Sequence, residues 1–448
     1  MNSQNIAVIG AGISGLSAAW LLSKNHNVTL FEQDARLGGH SNTVDMDVNG
    51  TTVPVDTGFI VFNSATYPNL LALFDHLDVP KHETVMSFSA SLNGGSYEYS
   101  GGTYFGLLAQ PTNIVRPSHW RMIGDILRFF REAPQDMKTM GDEETLAQYL
   151  TRRKYSEAFT KRHLLPMAAA IWSSKLGDMR HYPARAFIRF FQNHGLLQVE
   201  GRPKWGTVQG GSRVYVAKLL ADSQITTRIA QKVVGVRRTP KEANITTADG
   251  VSQSFDQVVI ASHADQALAM LEDPDHAEQA LLGAFGYEQN HAVLHRDKRL
   301  MPKRRLAWAS WNYLDFAPKG SDPAAEEDLC LTYWMNSLQN LPTKEDVFVT
   351  LNPSAKRPID HVAARFDYAH PVFDPKAMAA QRDLWSLQGV NRTWYCGAHF
   401  GAGFHEDGLQ SGLAVAEQLG GMARPWTVDN PSSRIHVDEQ PSLAMAAE

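Results

Sequence analysis

The side chains best suited to chemistry cluster in one late stretch of the chain: His399, His405, Glu406 and Asp407 fall within nine residues of one another. An imidazole titrates close enough to neutrality to give and take a proton, and carboxylates beside it shift that balance. Small residues from Gly408 through Ser411 and Gly412 to Ala416 read as a helix whose start is free of bulky side chains, and Asp407 stands where such a start favours negative charge. Two readings follow. Either His405, Glu406 and His399 move protons for a reaction, or Asp407 caps the helix and His405 packs without chemistry.

What must position such groups is written at the other end of the sequence. Ile6 to Ile9 is a short apolar run of the kind that forms a buried parallel strand; Gly10-Ala11-Gly12-Ile13-Ser14-Gly15 and a helical pattern follow it directly. Gly10 permits a tight strand-to-helix turn, Gly12 lets the backbone approach a diphosphate, and Gly15 lets helix and sheet pack closely. The free amides at the helix start, at Ile13 and Ser14, receive phosphate charge. A second strand, Val28 to Phe31, ends in Glu32, twenty positions after Gly12, where a carboxylate accepts bonds from ribose hydroxyls and disfavours a 2′-phosphate. This order of parts predicts an α/β, Rossmann-type domain for an adenine dinucleotide other than NADP.

Just beyond come Arg36-Leu37-Gly38-Gly39-His40 and, at the end of a strand pair, Asp56-Thr57-Gly58. With the fingerprint, these resemble the flavin-containing amine oxidase and phytoene desaturase superfamily. The resemblance implies FAD, with Glu32 on the adenosine ribose, Arg36 and the Gly38-Gly39 backbone along the diphosphate and ribityl, and Thr57 and Gly58 near the isoalloxazine. His40 stands where the family often has Arg. Val233 and Val234 would contact the adenine. Thr393 to Ala416 resembles the family's C-terminal segment, which brings Gly397 to the diphosphate, Asp407, Gly408 and Ser411 to the ribityl and pyrimidine edge, and the His399 to Asp407 loop beside the isoalloxazine. Neither cysteine stands in a flavin-linking motif, so the FAD is expected to be noncovalent.

The stretches VDTGFIVFN, GGHSNT and GFHEDG are similar to a bacterial subgroup of NAD/FAD-binding proteins of the amine oxidase type. That subgroup is associated with cyclopropane-fatty-acid-synthase-like enzymes, which implies an acyl chain as substrate. Three functions stay open: an FAD-dependent dehydrogenase, desaturase or isomerase of an apolar unsaturated substrate; an amine oxidase releasing peroxide; or a flavin-binding partner of a lipid-modifying enzyme.

At 448 residues the chain exceeds what one core supports. Residues 1–66, 203–264 and 385–426 are expected to form the FAD-binding domain, 67–202 and 265–384 a mixed α+β substrate domain, and 427–448 a loosely attached tail. Residues 317–328 read as an exposed loop. His263, at the end of a central strand, reads as structural. A net charge of −5 with scattered cations gives no reason to expect nucleic-acid binding. Cys330 and Cys396 stand far apart with no metal-ligand spacing, so neither a disulfide framework nor a metal site is indicated, and a reducing cytoplasm fits. No apolar run is long enough to cross a membrane. Trp120, Ile123, Ile126, Leu127 and Phe130 share one face of a basic helix, which either lies on a membrane with its arginines on anionic headgroups or packs against the protein's own core.

Overall fold

A computed structural model of the chain describes residues 2–437 apart from 142, 173–175, 199–200, 318–329, 355–356 and 421. The first elements are β1 (Asn5–Ile9), α1 (Ile13–Leu22) and β2 (Asn27–Phe31), in the order the side chains predict. β1 is apolar because it lies in the middle of a five-stranded sheet, ordered Thr226–Arg228, β2, β1, Gln257–Ile260, Thr393–Tyr395, with every pairing parallel. Strands covered on both faces carry continuous apolar runs rather than alternating ones. All ten residues of α1 are buried, since the helix is enclosed by this sheet and by the helix His405–Gly420. Gly10 takes a φ of +101°, and a Cβ on Gly15 would stand 1.9 Å from the Gly10 carbonyl oxygen, so both positions require glycine.

A seven-stranded sheet forms the second layer. Its order is Val362–Val372, Gly286–His295, Phe348–Leu351, Leu331–Trp334, Trp311–Leu314, Phe88–Leu92, Tyr97–Ser100, antiparallel except where Trp311–Leu314 runs parallel to Phe88–Leu92. The aromatic-rich runs beyond residue 286 thus become strands of one sheet, and Gly94 and Gly95 turn its terminal hairpin. Helices between residues 104 and 193 pack on one another beside this sheet, and Pro117–Asp136 meets it where His119 Nδ1 lies 2.6 Å from the Tyr97 hydroxyl. No helix among the described residues is long and apolar enough to cross a membrane.

The loop predicted at 317–328 lies, from 318 onward, outside the described residues. The segment after Trp426 is not loose as far as residue 437: Arg434 pairs with the fully buried Asp407, and Ile435 is itself buried. The reason is electrostatic, because a carboxylate removed from water requires a counter-charge.

Candidate active site

A cavity of about 1260 Å³ runs between the two sheets. One end is built from backbone. Gly10, Gly12, Ile13 and Ser14 line it where β1 gives way to α1, with Glu32, Val233 and Val234 close by. A Cβ on Gly12 would meet nothing within 4 Å, and no side chain caps α1, so the helix's first amides are left facing open space. Glu32 accepts bonds from the amides of Ala11 at 2.8 Å and Asp34 at 2.9 Å, one on each carboxylate oxygen, which leaves lone pairs for a vicinal diol. Arg36 lines the same passage with a buried Nη1 that has no partner. An open amide cradle, an unsatisfied guanidinium nitrogen and an anchored acid are the parts an adenine dinucleotide diphosphate needs, so the residues fit FAD.

Further along, Gly39, His40, Gly58, Gly397, His399 and His405 line the cavity. Gly15, Gly38, Thr57, Gly408 and Ser411 do not; they support those that do. The Gly38 amide donates to the Ala11 carbonyl at 2.8 Å, the Thr57 hydroxyl lies 2.7 Å from that of Tyr368, and Ser411 Oγ accepts from the Gly397 amide at 3.0 Å. A Cβ on Gly408 would stand 2.8 Å from Ser14 Oγ, and one on Gly412 2.2 Å from the Ser14 carbonyl oxygen, so this helix can approach α1 so closely only with glycine at 412.

The late cluster divides. His405 faces the cavity, stacks on Phe59 at 3.8 Å between ring centres, and places Nε2 2.7 Å from the Tyr215 hydroxyl. Burial pushes its imidazole down to about 3, so it stays neutral. His399 also lines the cavity, is pushed down to about 3 by burial and then by His263, and has an unpartnered Nε2. Glu406 and Asp407, by contrast, point away. Glu406 accepts from the amides of Asn69 (3.0 Å) and Leu70 (3.0 Å) and the side chains of Asn69 (2.9 Å) and Gln410 (3.0 Å). It satisfies the start of the helix Pro68–His76 and lines no part of the cavity, which corrects the reading of it as a proton carrier. Asp407 binds Arg434 and the Phe404 amide rather than the cavity, in keeping with a helix-start acid.

Sequence reasoning missed the group that faces His40. Its ring lies 4.9 Å from that of Tyr368 and 5.2 Å from that of His370, its Nε2 has no partner, and burial, then His370, His263 and His405, hold it well below the usual range. Asn290 donates its side-chain amide to Nδ1 of His370 at 3.0 Å, and burial followed by His263 lowers that imidazole to about 4. Phe366, Tyr368 and His370 alternate along the strand Val362–Val372, so period-two spacing was the available signal. His263 lines the cavity stacked on Tyr287 at 4.4 Å. Among the described residues no group of three or more His, Cys, Asp or Glu is arranged to hold a metal ion.

The remaining wall is largely apolar and includes Phe88, Ile123, Ile126, Phe130, Met167 and Trp311, with His163, His194 and Arg202 among its polar members. Ile123, Ile126 and Phe130 of Pro117–Asp136 are therefore turned inward, whereas Trp120 and Leu127 on the same face are half exposed. Arg128 lies 4.0 Å over the Tyr155 ring and 3.5 Å from the buried Asp125, so that arginine is engaged within the protein.

Comparison with known proteins agrees with this geometry. Residues 13–304 match the family described as flavin containing amine oxidoreductase. An L-amino-acid oxidase of Bothrops pauloensis is 23% identical over 300 residues, covering 61% of this chain and 55% of that protein. The chain spans at most 55% of the length of the curated relatives it matches. Among solved structures, the CLA-producing fatty acid isomerase from P. acnes superposes with a TM-score of 0.64 at 14% identity, covering 92% of this chain and 97% of the other. Wild-type putrescine oxidase bound to putrescine gives 0.65 at 15% identity, covering 94% and 99%. At such identities the structural likeness is one of fold. The chain belongs to the flavin-containing amine oxidoreductase family, a class of oxidoreductases whose cofactor is FAD.

Proposed function

We propose that this oxidoreductase acts on an apolar unsaturated substrate, a fatty acyl chain, by dehydrogenation, desaturation or isomerisation. The observation that carries the reading is the chemistry of the cavity wall. Its acidic residues are Glu32 and Asp34, at the dinucleotide end, and Asp367, which is exposed and paired with His291 at 2.5 Å. Among the described residues no carboxylate faces the apolar half, so an ammonium group would lose its hydration there without a counter-ion. An alkyl chain loses nothing.

In this reading segments 1–66, 203–264 and 385–426 hold a noncovalent FAD and the rest of the chain shapes the substrate half. Bound FAD supplies acceptance of a hydride or electron pair. The Gly12 to Ser14 amides and Arg36 hold its diphosphate, Glu32 its ribose hydroxyls, and Val233 and Val234 its adenine. Gly39, Gly58 and Gly397 allow the backbone to approach it. His40, His399 and His405, all neutral, are the groups able to take a proton at the junction of the two halves. The apolar wall excludes water. A substrate of this kind reaches the protein from a membrane surface, so the reading includes peripheral contact with the bilayer and association with a lipid-modifying enzyme.

The family description favours a second reading, amine oxidation, in which the amine enters as the neutral base. Anaerobic mixing separates the two. Unsaturated fatty acids are expected to perturb or bleach the flavin absorbance band, with product analysis revealing isomerisation where bleaching is absent, and primary amines are expected to leave it unchanged. Bleaching by amines alone overturns the acyl reading, and a flavin indifferent to both indicates a binding partner without turnover.

A further inference from the structure

Exposed large apolar side chains are not spread evenly over this molecule. Of the thirteen among the described residues, six lie on three short segments near the cavity-lining Tyr104: Tyr104, Phe105, Ile114, Val115, Trp120 and Leu306. Tyr104, Phe105 and Val115 are 86%, 79% and 80% exposed, far more than isolated surface apolar residues require. Local structure holds them together. Tyr104 and Phe105 stand on a single helical turn, Tyr104–Leu107, that packs against the turn Arg305–Ala307 carrying Leu306. Ile114 and Val115 lie on the turn Pro111–Val115, whose Ile114 carbonyl accepts from the Trp120 indole at 2.8 Å.

The same segment borders the cavity. Tyr104, Leu107 and Leu127 line it, so the exposed lip and the apolar half of the site form one continuous surface. The charge around it is one-sided. Between residues 85 and 131 the only carboxylates are Glu98 and Asp125, both buried and both ion-paired; Arg121, 66% exposed, lies 3.7 Å from Asp125, and Arg131, 74% exposed, is paired at 2.9 Å with Glu132 just beyond. Aromatic rings mixed with aliphatic side chains, on a segment where Arg116, Arg121, Arg128 and Arg131 outnumber Glu98 and Asp125 and no acid is exposed, match the boundary between headgroups and acyl chains.

From this the geometry points to the lip at residues 104–120, with Leu306, as the surface that docks on an anionic phospholipid bilayer and opens the cavity to the acyl region. This rests on the acyl-chain reading of the site and specifies how that substrate arrives. The docking element is not the Ile123, Ile126 and Phe130 part of Pro117–Asp136, which lines the cavity; only Trp120, at the start of that helix, belongs to the lip. A chain leaving the bilayer through this opening passes from apolar surface to apolar surface and crosses no water.

The test uses the flavin-loaded protein and vesicles of phosphatidylcholine with phosphatidylglycerol. Wild type is expected to cosediment at low salt, and added salt to weaken binding only in part, because arginine attraction is screened while apolar insertion is not. Phe105→Ser with Ile114→Ser and Val115→Ser, none of which lines the cavity, is expected to lower vesicle affinity at least tenfold while the flavin spectrum is unchanged. Ile229→Ser with Val251→Ser, exposed apolar residues elsewhere, serves as the control and retains binding. Should the triple variant fail to fold, quenching of tryptophan fluorescence by brominated lipid, present in wild type and diminished in Trp120→Phe, carries the test. Absence of wild-type sedimentation, or equal sedimentation of the triple variant, overturns the docking surface. Fatty acid presented in detergent micelles distinguishes the two failures: if it perturbs the flavin while vesicles are ignored, the substrate reading stands and the docking surface falls.

Discussion

The two ends of the cavity are made in different ways. The dinucleotide end is built from backbone amides, glycines, Arg36 and the acids Glu32 and Asp34, all within the first forty residues apart from the Val233 and Val234 edge. The substrate end is built from side chains brought together from several distant segments, and its polar groups include neutral histidines and Arg202. Backbone geometry ties the first end to one ligand type, whereas the second can be relined by side-chain replacement without altering the fold.

The sharpest way to break the first end is at its closest approach. Gly15→Val places carbon where the Gly10 carbonyl oxygen already lies within 1.9 Å of a single added Cβ, and the expected result is protein that retains no flavin, read from the ratio of flavin to protein absorbance. Retention of flavin in that variant contradicts the cradle. Next in size is Glu32→Ala, which removes the acid held by the Ala11 and Asp34 amides and is expected to weaken FAD binding by about 1–3 kcal/mol in a titration of the apoprotein.

The substrate end answers to pH instead. Burial holds His163 at about 4 and His399 at about 3, whereas in the unfolded chain each returns to 6.5. The unfolded form therefore takes up protons first as pH falls. The stability these groups contribute is fully present above 6.5 and declines by about 1.4 kcal/mol per pH unit for each residue, until its folded value is reached. Denaturant midpoints on either side of pH 6.5 should show this decline, and His163→Phe should flatten it; an unchanged slope in the variant removes His163 as a source. The smallest effect is expected within the late cluster. His405→Ala should keep FAD and slow turnover, and Glu406→Gln should lower stability without changing turnover per bound flavin. If His405→Ala loses flavin and turns over normally per flavin, its stacking on Phe59 is its whole function.

How much of this was legible follows the same division. β1, α1, β2 and Glu32 could be read because a parallel strand, a phosphate turn and a ribose acid obey fixed local spacing. Glu406 was misread because nothing local distinguishes a carboxylate that satisfies helix amides more than three hundred residues earlier from one beside a ligand. His40 was noticed as a departure from the family pattern, but its neighbours Tyr368 and His370 lie on a strand over three hundred residues away. The inward turn of Pro117–Asp136 was undecidable from its amphipathic pattern, since a cavity wall and a lipid surface call for the same apolar stripe.

Arg434 reaching back to Asp407 bears on the order in which the protein matures. The parallel sheet needs strands from residue 5 to residue 395, the helix beginning at His405 closes over α1, and the acid at that helix start acquires its counter-charge only from residue 434. While a ribosome is still delivering these segments, the amide cradle formed from the first forty residues has nothing to complete it. Flavin loading is thus expected only after these late segments have been delivered. A protein shortened before residue 434 is expected to accumulate with its cradle translated and its cofactor unbound.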